Sequence, residues 1–368
     1  YQLRKQLLAQ ICYSNEYWNG SLFFMSTQLS SIRFSPQWWL ANPHAQTLIP
    51  RYRRRSHLLI QVPLEERLFQ VDPQSQIKGV CCWQTRRSKA PGLILIHGLE
   101  GCHESHYMQG LAHKAWHAGF NVIRLNQRNC AGTEHLTPTL YNGGLSQDIR
   151  AVADELVSND GLQAIFATGY SMGGNLVLKM AGEARNEFPA LRGVAAVCPN
   201  IHPAACVAAL EERRNWVYHK HFMIKLKARL ERKAKIFPGK WDISLYKDIH
   251  TMSQFDDAYT APDGGYRDAV DYYNRSGSRH VLEHIRIPTL IITSQDDLFI
   301  PINTFNIPAI HSNPCIQLMT PPHGGHCGFI QKPQEHEDGY WAENRIIEFI
   351  QPSIQTQPFP TMILDTIK

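Results

Sequence analysis

The 368-residue sequence has no run of about 18 apolar residues, so no part of it is expected to cross a membrane as a helix. Its first residues, Tyr1 to Phe24, hold no apolar stretch longer than Leu22 to Met25, too short for the core of a signal peptide. No Cys-x-x-Cys pair occurs, and the nine cysteines (positions 12, 81, 82, 102, 130, 198, 206, 315 and 327) are odd in number. Free thiols in a reducing compartment, and hence a cytoplasmic location, are expected. Charge of one sign is also scarce. Lys+Arg 37 against Asp+Glu 32 leaves a net +5, too little to point to a nucleic-acid partner. Neither repeats nor low-complexity tracts are visible. With 43% hydrophobic and 19% charged residues, the composition is that of an ordinary globular protein.

From about residue 77, short apolar runs alternate with longer amphipathic stretches. Strands are expected at Ile77–Trp83, Leu93–His97, Asn121–Leu125, Ala164–Gly169, Val194–Cys198, Thr289–Thr293 and Ile316–Met319. Helices are expected at His106–Ala118, Gly144–Ser158, Asn175–Ala184 and Tyr340–Ile350. This alternation predicts an α/β fold with a mostly parallel sheet. Runs such as Leu93-Ile94-Leu95-Ile96 are apolar throughout, which fits strands covered by helices on both faces. The alternation breaks over 200–285, where residues 206–236 read as one long helix or a broken pair. From Glu211 to Lys240 there are ten Lys/Arg and three Glu, a local charge of +7. The expected organisation is an extension outside the core (1–33), an arm packed on the core (34–76), a core in two parts (77–199 and 286–350), a helical cap inserted between them (200–285), and a tail (351–368).

The strongest chemical signal is Gly169-Tyr170-Ser171-Met172-Gly173, which fits G-x-S-x-G between an expected strand and an expected helix. A serine on so sharp a turn holds its Oγ clear of the sheet, and glycines two residues to either side relieve the crowding. Such a nucleophile needs a base, and the base needs an orienting acid, in the chain order Ser, Asp/Glu, His. The acid is expected just past Thr289–Thr293, where Asp296 and Asp297 compete. The base is expected just past Ile316–Met319, where His323 and His326 compete. The Met172 amide and the Leu99 amide, the latter in the loop His97-Gly98-Leu99-Glu100-Gly101, are expected to form the oxyanion hole. His97 is read as a hydrogen-bonder that shapes that loop, and Glu100 is left unassigned. His113 and His117 stand four apart on a helix, as zinc ligands can, but no third ligand lies nearby in sequence. No metal and no cofactor are expected.

Taken together, these residues resemble the α/β-hydrolase superfamily over roughly 77–350. Phe34-Ser35-Pro36-Gln37-Trp38-Trp39-Leu40-Ala41-Asn42-Pro43-His44-Ala45-Gln46-Thr47 is similar to the N-terminal signature of the YheT-like branch, which includes embryogenesis-associated plant proteins and membrane-anchored mammalian lipases. The loop 97–101, the stretch 126–132, Phe255-Asp256-Asp257 and Tyr272-Tyr273 are similar to that branch as well. The resemblance implies an α/β-hydrolase fold with a cap and hydrolysis of short acyl or lipid esters. It also implies a Ser171, Asp297, His326 triad, with Asp297 four residues before Pro301 and His326 the second histidine of His-Gly-Gly-His. Asn126-Gln127-Arg128-Asn129 departs from the branch's usual Arg-Gly ending, which leaves its substrate contacts open.

The function expected from this sequence is a serine hydrolase acting on carboxylic esters through an acyl-enzyme. The alternatives are an acyltransferase on the same fold and a non-catalytic binding protein. The substrate is expected to be a small-molecule or lipid ester. Trp216 and Phe222 of the cap are expected to bind its acyl chain, while the Lys/Arg of the cap, including Arg229, Arg232 and Lys233, face solvent. That basic face offers peripheral contact with an anionic membrane surface.

Overall fold

Eight strands assemble into one sheet in the computed structural model, which describes residues 33–53, 55–334 and 336–351. In chain order they are β1 (Glu65–Asp72), β2 (Ser75–Cys82), β3 (Gly92–Ile96), β4 (Asn121–Leu125), β5 (Ile165–Tyr170), β6 (Leu191–Val197), β7 (Thr289–Ile292) and β8 (Ile316–Met319). Their order in space is β1-β2-β4-β3-β5-β6-β7-β8. β2 runs antiparallel to both β1 and β4, and the remaining pairs are parallel. Every residue of β3, β4, β5 and β7 is buried, as strands covered on both faces require.

The longer helices are α1 (Pro43–Tyr52), α2 (His106–His117), α3 (Ser146–Ser158), α4 (Met172–Ala184), α5 (Pro203–Glu211), α6 (Trp216–Ile236), α7 (Ala269–Ser276) and α8 (Trp341–Ile350). The crossover from β3 to β4 steps one way across the sheet, and the crossover from β4 to β5 steps back past β3. Right-handed connections therefore put α2 and α3 on opposite faces. Accordingly α2 packs against α8, and α3 against α4. The reversal opens a crevice beyond the carboxyl ends of β3 and β5, where α/β sheets bind ligands.

Two features differ from the sequence expectation. β1 and the start of β2 lie inside the segment read as an arm, so the sheet begins earlier. β1 escaped notice because it is an edge strand in which Phe69 alone is buried, and its apolar–polar alternation is confined to Phe69-Gln70-Val71-Asp72. The long helix over 206–236 is a broken pair. Asn215 interrupts it, fully buried, with its Nδ2 donating to Ala209 O and Leu298 O at 2.8 Å each. The expected extension 1–33 and tail 351–368 fall almost wholly outside the described residues.

Candidate active site

Ser171 stands on the one-residue turn between β5 and α4, with φ 53° and ψ −118°. This conformation is unfavourable for any residue with a side chain, and strain of this kind persists only where the surroundings over-determine it. The turn is pinned on both sides. Ser171 N–H donates to Val197 O at 2.8 Å, and its carbonyl accepts from Asn175 N at 3.1 Å. A Cβ at Gly169 would come within 2.0 Å of Gly173 O, and one at Gly173 within 2.5 Å of Ile96 O. Both glycines are thus required for α4 to start this close to β3 and β5. The first turn of α4, with its unpaired amides, faces the crevice and favours negative charge there.

The loops after β7 and β8 form two acid–histidine pairs. The Asp297 side chain is wholly buried, and its carboxylate oxygens lie 3.0 and 3.2 Å from His326 Nδ1. Its Oδ1 also accepts from Phe299 N and Ile300 N at 2.8 and 3.0 Å. Asp296 instead lies 3.3 Å from His323 Nδ1, and the His323 side chain is 47% exposed. The inner pair shares the crevice with Ser171, because His326 and Ser171 line one cleft. Burial pushes the His326 imidazole down, but the adjacent Asp297 carboxylate outweighs it and holds the pKa above its ordinary 6.5.

The N-terminal arm builds the histidine loop. Asn42 caps α1 by accepting from His44 N and Ala45 N, with Pro43 in the first turn. The helix so placed presents Thr47 Oγ1, which accepts from His326 N at 2.9 Å. Gln46 is fully buried and bonds both the N–H and the carbonyl of Ile330 at 2.8 Å. The sequence motif Ala45-Gln46-Thr47 therefore sets the backbone of a loop almost 300 residues downstream.

The loop after β3 is held by three side chains. His97 is fully buried, and burial pushes its imidazole down to about 4, so it is neutral. Its Nε2 accepts from Gln127 N at 3.1 Å, which leaves Nδ1–H to donate to Gly98 O at 2.7 Å. Tyr107 Oη accepts from Gly98 N, and Tyr141 Oη from Glu100 N, each at 3.1 Å. The amides on either side of Leu99 are thus engaged, and Leu99 and Met172 both line the cleft with Ser171. Gln127, just past β4, braces this loop. Gln127 Nε2 donates to His97 O, and Arg128 lies within 2.6 Å of Asp148 through Nε, all buried or nearly so. Arg128 thereby ties the chain just past β4 to α3.

The cleft encloses about 780 Å³, part of it open to solvent. The cap supplies its apolar wall through Val207, Leu210, Phe222, Leu226 and Met252. Of the two cap aromatics expected at the acyl chain, Phe222 lines the cleft and Trp216 does not. Trp216, the first residue of α6, is 58% exposed. The basic face also needs correction. Arg229 is buried, its Nη2 2.8 Å from Glu100 Oε2, and its guanidinium lies over the Tyr141 ring at 4.5 Å. Lys233 is buried too, donating to Glu134 O at 3.1 Å, and burial lowers it to about 8. Arg232 does face outward, 53% exposed, as do Arg213, Arg214, Lys220, Lys235 and Lys240.

A match to the family described as "Alpha/beta hydrolase family" covers residues 93–338. The chain belongs to the alpha/beta hydrolase family. Within it, the chain is 32% identical over 327 residues to the putative esterase YheT of Escherichia coli, covering 87% of this chain and 94% of that protein. It is 28% identical over 245 residues to phospholipase ABHD3 of Mus musculus, covering 66% of this chain and 59% of that one. The fold is shared with the Pyrococcus furiosus esterase Pf2001, with a TM-score of 0.51 at 14% identity over 87% of this chain and 98% of the esterase. The expected YheT-like resemblance thus holds over 87% of the chain. No described helix is long and apolar enough to cross a membrane.

Several residues of this hydrolase's cleft were missed in the sequence. Asp256 lines it, buried in a π-helical turn, where Tyr273 Oη donates to it at 2.8 Å and burial raises its carboxyl to about 6. Its only signal was the resemblance of Phe255-Asp256-Asp257 to the branch. Tyr107 and Tyr141 gave no signal and Thr47 only its place in the Phe34–Thr47 signature, since each acts on a backbone amide that only the fold brings near.

Proposed function

We propose that this chain hydrolyses carboxylic esters through an acyl-enzyme on Ser171. Ser171 Oγ attacks the ester carbonyl while His326 Nε2 takes its proton, and Asp297 holds the imidazole in the tautomer that leaves Nε2 free. The amides of Leu99 and Met172 receive the carbonyl oxygen as it becomes an oxyanion. His326 then returns the proton to the departing alcohol. A water molecule, deprotonated by the same imidazole, releases the acid and restores the serine. The observation that carries this reading is the buried Asp297–His326 pair sharing a cleft with a serine in strained backbone geometry. The apolar cap wall suits an acyl chain, and esterase and phospholipase names among the relatives fit the same class.

A fluorophosphonate probe tests the reading directly. It is expected to attach to Ser171 and to block turnover of a short ester, and Ser171→Ala is expected to lose both. Attachment elsewhere, or turnover surviving in Ser171→Ala, would reject it.

The electrostatics of His326 add a pH dependence. A histidine whose pKa is raised keeps its proton to higher pH, and a protonated imidazole cannot take the serine proton. kcat/KM for a short ester is therefore expected to climb with pH along a limb centred above 6.5. A pH–rate profile measures it, and a limb centred below 6.5 would mean that Asp297 does not act on the base in this way.

A further inference from the structure

Two thiols that ester hydrolysis does not use lie beside the imidazole of His326. Cys198 is the residue immediately after β6, and Cys327 follows His326 in the chain. Both carry free thiols and both are buried. Their sulfurs and a ring nitrogen of His326 lie within 4.8 Å of one another. The backbone fixes this grouping. Cys198 and Cys327 both have positive φ, 45° and 63°, and Cys327 N donates to Cys198 Sγ at 3.3 Å. Conformations this costly for residues with a side chain keep the two sulfurs on one side of the histidine loop. The thiols' own contacts are loose, 3.8 Å from Cys198 Sγ to Gly325 O and 3.7 Å from Cys327 Sγ to Val197 O.

We propose that Cys198, Cys327 and His326 form a binding site for a thiophilic divalent cation such as Zn²⁺, whose occupancy switches ester hydrolysis off. Two sulfurs and one imidazole make a ligand set that Zn²⁺ favours. In tetrahedral coordination, with Zn–S about 2.3 Å and Zn–N about 2.0 Å, ligand atoms stand roughly 3.5–3.8 Å apart. The present spacing therefore needs side-chain movement of about 1 Å at most. His326 lines the cleft, so an ion can arrive by the substrate's route, and the fourth position is left for water. Asp297 already holds the ring, as carboxylates do behind metal-bound histidines. Each thiol gives its proton to solvent as its bond to the ion forms, and no electron moves. Whichever ring nitrogen the ion takes, hydrolysis stops: at Nε2 the base has lost its lone pair, and at Nδ1 it has lost its bond to Asp297.

The inhibition rests on the function proposed above, but the binding does not, and the experiment reads them separately. Purified protein is titrated with Co²⁺ alone and followed by absorbance, and with Zn²⁺ alone against short-ester turnover. Wild type is compared with Cys198→Ser, Cys327→Ser and His326→Gln. Expected are one ion per chain and a thiolate-to-cobalt charge-transfer band in wild type, weakened in both serine variants and in His326→Gln. The Zn²⁺ concentration that halves turnover is expected to rise at least about tenfold in each serine variant. A cobalt spectrum without the thiolate band in wild type overturns the site, and needs no variant to fold. Equal half-inhibition in wild type and both serine variants overturns the switch. If the protein turns over no ester at all, the function proposed above fails while the cobalt band still decides the site.

Discussion

Asp297→Asn is expected to lower turnover of a short ester by about 10⁴, while Asp296→Asn lowers it far less. The two carboxylates are neighbours in sequence but not in environment. The Asp297 side chain has no exposed surface, and Phe299 N and Ile300 N both donate to its Oδ1, so its orientation toward His326 Nδ1 is fixed. An asparagine held there in the same way would turn its NH₂ toward the imidazole. The ring would then accept at Nδ1 and carry its proton on Nε2, the nitrogen that must be empty to receive the proton of Ser171. Asp296 accepts from Gly325 N at 2.9 Å, which an asparagine oxygen can still do. Its other partner is His323, half-exposed at 3.3 Å, and pairs of that kind are worth about 1 kcal/mol or less. Steady-state kinetics on the two variants decide the matter. A loss at Asp296→Asn as large as that at Asp297→Asn would reverse the assignment of the acid.

Arg229→Glu is expected to destabilise the fold by about 3–5 kcal/mol and to slow turnover of even a small soluble ester. The guanidinium sits 2.8 Å from Glu100 Oε2 and 3.0 Å from Cys130 Sγ, with both members of the ion pair about 93% shielded from solvent. Reversing its charge leaves two carboxylates facing each other where water cannot screen them. Glu100 adjoins Leu99 and has positive φ, 57°, so the strain of moving it falls on the loop proposed to bind the oxyanion. Losing one donor there costs about 10²–10³ in turnover. Arg232→Glu, three residues on along the same helix, is the comparison. Its side chain is 53% exposed, and its pair with Glu134 should change stability by about 1 kcal/mol at most. Urea melts with equal slopes and kinetics on a short ester measure both effects. If the two variants behave alike, the Arg229–Glu100 pair does not tie the cap to the site.

Much of this site was legible because local sequence dictates local backbone. Gly169 and Gly173 around Ser171 announce a turn that only those residues allow, and the apolar runs ending at Ile96, Tyr170, Ile292 and Met319 place four loops at one edge of the sheet. The sequence also carried the cap as a break in the strand–helix alternation. What local pattern alone could not carry is which of two like residues faces which partner, a choice that only the family resemblance made, for Asp297 and His326. Asp296 and Asp297 differ only in the direction the loop gives them, and His323 and His326 likewise. Arg229, Arg232 and Lys233 read as one basic face because no sequence rule says what lies beneath α6. Burial of Arg229 against Glu100 and of Lys233 against Glu134 O follows from how the helix docks. In the same way Thr47 reaches His326, and Cys198 reaches Cys327, across 279 and 129 residues of chain. Turn geometry and hydrophobic periodicity act over a few residues and are written in the sequence. Pair partners and the burial of a charge are set by packing between distant segments, and these the tertiary structure alone decided.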